Sequence, residues 1–388
     1  MKSLSEIMTK LPLPLKAAVI TVMTLACSHL VVYDLMEVSF FSPMEKASDF
    51  RFSDFYTIVA DDRAVSTLDE NIVIVPVDGM TRKEMARTIE DIDFCEPGAV
   101  GLDIAFAPPS DPDDDPLAEA LASCGNLIMP VRITQDDDGD HLSHLSYYDE
   151  IVKPQGGFAA VNIQGDLGRR TTVREFTGSF QTDEGEIPSL AAALVGIVSP
   201  EAVARLKERG EKDEYIRFHS RKFDTIDPEE IIDSQDLIKG KIVLVGKMQN
   251  AGDLHVTPLD NFTPGMLIHA HTAATILSGD YIRTLSPFET YAAAAVACFI
   301  IVWLNMLLID SPVGPLAVRL VQVGMLYLMI VGGTMAYIRH SLDLNFSFAI
   351  MSASLGVAAC DVYVGLFNKN GLCDRIYRIF RKPNDNRI

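Results

Sequence analysis

The chain has 388 residues, 48% of them hydrophobic, and carries 33 Lys+Arg against 53 Asp+Glu for a formal net charge of −20. So acidic a chain excludes nucleic acid as a partner, because phosphate backbones are bound by clustered cations. No internal repeat of solenoid period and no low-complexity tract is present, so repeat and fibrous architectures are excluded too.

Read from the amino terminus, residues 1–16 form a short Lys-bearing lead, with Lys2, Lys10 and Lys16 ahead of an apolar segment at 17–33. Three further apolar segments follow at 288–310, 316–338 and 346–367. Each approaches the roughly 20 residues that a helix needs to cross a hydrocarbon core of about 30 Å. Only helix satisfies the backbone there, so four transmembrane helices are expected. Ser28 and His29 make the first the weakest. Residues 34–286 hold 46 acidic and 22 basic side chains, leaving 7 acidic and 11 basic outside. Basic residues gather on the cytoplasmic side. The expected topology therefore has both termini in the cytoplasm, block 34–287 exported, and a basic cytoplasmic tail at 368–388. Cys27, preceded by Thr24-Leu25-Ala26, resembles a lipoprotein cleavage site. The Leu stands one place too close and apolar residues continue beyond, so an uncleaved signal anchor fits better.

Within the block, 71–77 reads as a buried strand ending at Asp78, 81–92 as an amphipathic helix, and 99–106 as a second strand. A helix at 116–123 and a strand at 127–131 follow. Strand-helix alternation of this kind builds a parallel sheet by crossovers. The run 241–246 (KIVLVG) is a further buried strand, and a helix starts near Pro264. The fold class expected is an α/β exported domain with a mainly parallel sheet, covered on both faces, plus the four membrane helices. Cys95 and Cys124 are the two cysteines of the block. Each sits just before a strand, and they form either a disulfide or a pair of buried thiols. The acidic runs 111–116 and 136–140 lack the alternating ligand spacing of a calcium loop and read as solvated loops.

In an open parallel sheet, ligands bind beyond the carboxyl ends of strands. Asp78 and Asp103 lie at such ends, on strands taken as neighbours, with Arg51 as a candidate partner for either. The alternative for Asp78 is to cap the following helix. Asp253, His255, His269 and His271 are metal-type side chains, but His269 and His271 are two apart and face different sides of a helix. No metal and no cofactor is assigned. Asp166-Leu-Gly-Arg-Arg170 reads as a turn whose Asp and Arg pair. No nucleophile elbow, phosphate loop or metalloprotease helix occurs, so no enzyme is expected.

Taken in order, several pieces resemble a CHASE2 domain, a sensory module of bacterial membrane signalling proteins. They are Asp49-Phe-Arg-Phe52, Val77-Asp78, Ala99-Val-Gly-Leu-Asp-Ile-Ala-Phe106, Asp115-Pro-Leu-Ala-Glu-Ala-Leu121 and Gly125-Asn126. In the second half come Gly157-Phe-Ala-Ala-Val161, Asp166, Gly168, Arg170, Ile238-Lys-Gly-Lys-Ile-Val-Leu-Val-Gly246, Asp253, Thr257-Pro258 and Pro264-Gly-Met-Leu-Ile-His-Ala270. The likeness covers about 46–283. It implies ligand-facing positions at Arg51, Asp78, Asp103, Arg170, Asp253 and His269. It also implies three membrane helices after the domain and, usually, a kinase or cyclase beyond them. Here only the basic tail is seen to follow. Residues Met80-Thr-Arg82 stand where the family has a Trp-Pro-rich stretch, keeping the Arg. The function expected is a sensor or regulatory subunit acting on a separate membrane partner, such as a kinase, a cyclase or an envelope complex, with homo-oligomerisation open. The alternative is a structural scaffold of an envelope complex. Ile376, Ile379 and Phe380 with Arg375, Arg378 and Arg381 would give the tail a basic amphipathic helix.

Overall fold

The computed structural model describes residues 8, 10–30, 51–63, 67–109, 115–136, 139–163, 172–218, 221–308, 311–367, 372 and 375–376. The chain divides into two compact units, one of residues 1–56 with 283–388 and one of residues 57–282. Helix α1 (Leu13–His29) opens the first unit, and α2 (Phe52–Arg63) spans the division.

The second unit is built on a seven-stranded sheet. Its strands are β1 (Thr67–Pro76), β2 (Ala99–Asp103), β3 (Leu127–Asp136), β4 (Gly139–His144), β5 (Gly157–Ala160), β6 (Arg221–Thr225) and β7 (Ile242–Gly246). The order is β6-β1-β7-β2-β3-β4, with β5 also paired to β3. Every pairing is parallel except the β3–β4 hairpin. A side-chain period of two sorts the strand residues onto two faces. Ile72, Ile74, Ile242, Leu244 and Ile128 enter one apolar core, while Val73, Val75, Val243, Val245, Leu102 and Met129 enter the other. Because both faces are apolar, the strands read as unbroken Val/Ile runs.

Helices α3 (Arg82–Phe94) and α4 (Pro116–Ser123) cover the second face. Thr81 caps α3 in a reciprocal box with Glu84, and Met85, Ile89 and Ile92 form its buried stripe. Asp115 caps α4 and Pro116 occupies its first turn, the position where proline's missing N–H costs nothing. The first face is covered by α5 (Leu190–Val198), α6 (Pro200–Arg209) and α7 (Gly265–Ser278).

Of the two alternatives for Cys95 and Cys124, the structure has the pair of free, buried thiols and no disulfide between them. Strands β2 and β3 are adjacent and parallel, as expected, but each cysteine ends its own helix and turns to a local carbonyl. Cys95 Sγ lies 3.7 Å from Ile231 O, and Cys124 Sγ 3.7 Å from Gly125 O. Burial, with Asp93 alongside, pushes the Cys124 thiol up to about 12, so it stays protonated and unreactive.

In the first unit, α8 (Pro287–Leu308), α9 (Gly314–His340) and α10 (Ser347–Phe367) are long and apolar enough to cross a membrane. The four expected thus become three. Helix α1 is apolar but has 17 residues, or about 26 Å at 1.5 Å per residue, and residues 31–50 lie outside the described set. Helices α1, α8 and α10 share a core of Ala17, Ile20, Cys298, Val302, Cys360 and Tyr363. Val318 of α9 joins Ile301, Ala353 and Val357 in a second cluster. The Gln322 amide donates to Ala353 O at 3.3 Å, a polar contact suited to helices without a hydrophobic driving force between them. Of the amphipathic tail, only residues 372, 375 and 376 are described.

Candidate recognition face at the carboxyl edge of the sheet

Adjacent strands β1 and β7 lead to helices on opposite faces, α3 and α7. Loops that part in this way open a crevice beyond the strand ends, the usual ligand position in such sheets. In this chain the crevice is spanned from within. Asp78 Oδ2 accepts from Met248 N and Oδ1 from Gln249 N, each at 2.9 Å. The carboxylate that was expected either to face a ligand or to cap α3 instead ties the loop after β1 to the loop after β7. Thr81 does the capping.

Asp103 ends β2 in register with Gly246. Strand β7 therefore lies between the strands of Asp78 and Asp103, which the sequence reading placed side by side. A Cβ on Gly246 would meet Met266 Sδ at 2.7 Å. The first turn of α7 thus rests directly on the end of β7, with Asp103 alongside.

Asp253 reaches the same edge. Its carboxylate lies against Gly265, the first residue of α7, where a Cβ would come within 2.7 Å of Oδ1 and 2.8 Å of Oδ2. A carboxylate there is favoured by the exposed N–H groups of the helix start. His255 Nε2 lies 3.2 Å from Asp253 Oδ1, brought there by a two-residue pairing of Leu254–His255 with Thr263–Pro264. Loop 247–262 presents Leu254, Leu259 and Phe262 outward, Phe262 at 71% exposure.

The two remaining histidines diverge, as their spacing predicts. His269 is buried beside Phe176, Ser189, Ile216 and Thr272. His271 packs edge-on against Phe223 and tilted against Phe218, with ring centres 5.0 and 5.3 Å away. Asp253 and His255 meet, but the four side chains do not gather around one point. Arg51 belongs to the other compact unit, where its N–H donates to Asp54 Oδ2 at 3.0 Å. Arg170 lies outside the described residues.

A network that the sequence reading missed holds the helix starts in place. Arg82 donates to the Tyr148 hydroxyl and to Ala107 O, and its guanidinium stacks over Tyr148 and Phe106 at 5.3 and 5.6 Å. Tyr148, fully buried, donates in turn to Asp115 Oδ2 at 2.5 Å. Burial and that acceptor raise its phenol well above the usual tyrosine range. Nearby, buried Asp149 accepts from Leu145 N and Ser146 N, both at 2.8 Å. The one sequence signal was Arg82 itself, retained where the surrounding motif is not.

With its crevice spanned by Asp78 and the Asp253 carboxylate held beside His255, the edge presents a surface with an exposed apolar loop. Such a surface is suited to recognition. The CHASE2 domain family matches residues 17–309, wider than the expected 46–283 and reaching into the flanking helices α1 and α8. No curated protein and no solved structure matched the chain.

Proposed function

The chain belongs to the CHASE2 domain family, and on that premise we propose that it is a non-enzymatic sensor or regulatory subunit of the bacterial inner membrane. The α/β unit stands in the periplasm and both termini stand in the cytoplasm. A ligand or protein engages the α/β unit, and the membrane helices carry the change to a separate membrane partner. The observation that carries this reading is the extent of the family match. It runs without a break from the first apolar helix through the whole α/β unit into the first carboxy-terminal membrane helix. CHASE2 is a sensory family, so the sensory fold and its membrane connections come as one piece.

The excess of acidic side chains in 34–286 and of basic ones outside supports the orientation. As a fourth span, α1 would be short by a few ångströms, a mismatch that a bilayer absorbs by thinning. Labelling of single cysteines placed at 150 and 385 in intact cells tests the topology: the first should react with an impermeant thiol reagent and the second should not.

Purification of the full chain from its own membranes tests the function. A sensor associates with its membrane partner in an amount that changes when the recognition face is altered by Asp253→Ala. A fixed stoichiometric complex, indifferent to that change, would replace the sensor with the scaffold.

A further inference from the structure

The chain passes between its two compact units twice, between Tyr56 and Thr57 and between Ile282 and Arg283. In the membrane-helix unit, the residues beside both crossings meet the last turns of α9 and the segment 341–345 that joins it to α10. On the outgoing side, Arg283 and Thr284 pair in parallel with Leu342 and Asp343, and Arg283 N donates to Ser341 O at 2.8 Å. On the incoming side, Arg51 and Asp54 act electrostatically on Asp343, which is 3% exposed. Tyr56, fully buried, packs its ring 5.9 Å from that of Tyr337 in the last turn of α9. One turn back, a Cβ on Gly333 would overlap the Tyr56 hydroxyl, so only glycine leaves room for that ring.

Segment 341–345 is sharply bent. Ser341 and Asn345 sit at φ of 49° and 39°, a left-handed conformation that side chains other than glycine adopt at a cost. Asp343 Oδ1 accepts from Asn345 N at 2.8 Å and ties the bend. Among the described residues, the buried hydroxyls of Tyr56 and Ser53 have no hydrogen-bond partner. Buried polar groups left without partners oppose the packing that holds them.

We propose that the end of α9, from Gly333, together with segment 341–345 is the coupling element of this protein: it ties the incoming stretch of chain at 51–56 to the outgoing stretch at 283–284, so a displacement of either reaches both and is delivered to α9 and α10 together. This deepens the sensor reading and rests on it for its biological meaning. Its test needs neither ligand nor partner. Failure to find a ligand-dependent partner would leave the coupling result standing, and the reverse also holds.

The experiment is hydrogen exchange on the full chain in lipid nanodiscs, comparing Gly333→Ala with Gly324→Ala. A Cβ at 324 meets nothing within 4 Å and serves as the control on the same helix. Gly333→Ala should speed exchange about tenfold at 51–56 and also at 283–284 and 342–343, the signature of cooperative opening, while Gly324→Ala leaves all three unchanged. Asp343→Asn, which keeps an oxygen acceptor for Asn345 N, provides a gentler second lesion should Gly333→Ala fail to fold. It should shift exchange at both crossings. A response confined to one crossing, or absent from both, would overturn the proposal.

Discussion

The carboxyl edge of the sheet and the junction in the membrane-helix unit both bury charge, but they treat it differently. At the sheet edge most buried polar groups are answered, with Asp149 Oδ1 an exception among the described residues. Asp78 takes two backbone N–H groups, Asp149 takes two, and Arg82, Tyr148 and Asp115 answer one another. At the junction, the Tyr56 and Ser53 hydroxyls have no partner among the described residues. Burial holds the Asp343 carboxyl above the usual carboxylate range, as it does that of Asp149 at the sheet edge, and at the junction Asp54 adds to the effect. Satisfied networks are rigid, whereas unsatisfied ones are easily biased. The difference accords with the proposal of recognition at the first region and transmission at the second.

The comparison breaks most visibly at Arg82. Arg82→Ala removes a cation stacked on two rings and leaves the Tyr148 hydroxyl and Ala107 O without its bonds, so it should cost about 3 kcal/mol, seen as a lowered thermal midpoint of the full chain in detergent. A loss no larger than that of an average surface change would mean that the network is decorative.

Asp78→Ala should cost about 2 kcal/mol, less than Arg82→Ala because only one of the freed N–H groups is shielded from water. Faster amide exchange confined to 247–253 would accompany it, and Asp78→Asn should restore part of the loss. Gly265→Ala, which drives a methyl into the Asp253 carboxylate, should cost about 1–2 kcal/mol. The purified protein would report it as displaced His255 resonances.

Asp343 gives the pH test. Its folded carboxyl titrates above the ordinary 3.8, so the folded state holds the proton more tightly than the unfolded chain. Its contribution is therefore fully present below 3.8 and is lost as pH rises through the folded value. Relative to Asp343→Asn, the wild type should lose stability steadily as pH climbs from about 4 toward neutrality. A difference curve that is flat, or that slopes the other way, would mean that the carboxylate is well satisfied. The smallest effect belongs to Tyr56→Phe. Removing a buried hydroxyl that lacks a partner should stabilise by up to about 1 kcal/mol; destabilisation would reveal a partner for that oxygen.

Much of the architecture was legible because its signals are local. Strands β1, β2, β3 and β7 each contain a short apolar run, and α3 shows its stripe and cap within 13 residues. What was missed lacks such a signal. Helix α5 is apolar on every side (LAAALVGIV), so no helical period stands out. Strand β6 (RKFDT) is a polar edge strand that is defined by pairing with β1 across 152 residues, where Arg221 meets Asp69 at 3.4 Å. The site was half legible for the same reason. Strand-end aspartates mark the edge, but the partners of Asp78 lie 170 and 171 residues away, and Arg82 and Tyr148 are 66 apart. Arg51 was drawn toward the sheet aspartates by charge alone, and the fold places it in the other unit.

The contrast between a rigid face and a biasable junction is tested most directly by native-state hydrogen exchange on the unmodified full chain in nanodiscs. The amides of Met248 and Gln249, held by Asp78, should open only with the core strand amides of Val73 and Val75. The amides of Asp54 and Arg283, bonded to Arg51 O and Ser341 O, should open at least about 2 kcal/mol more easily. Equal protection at the two places would contradict the division of labour between them.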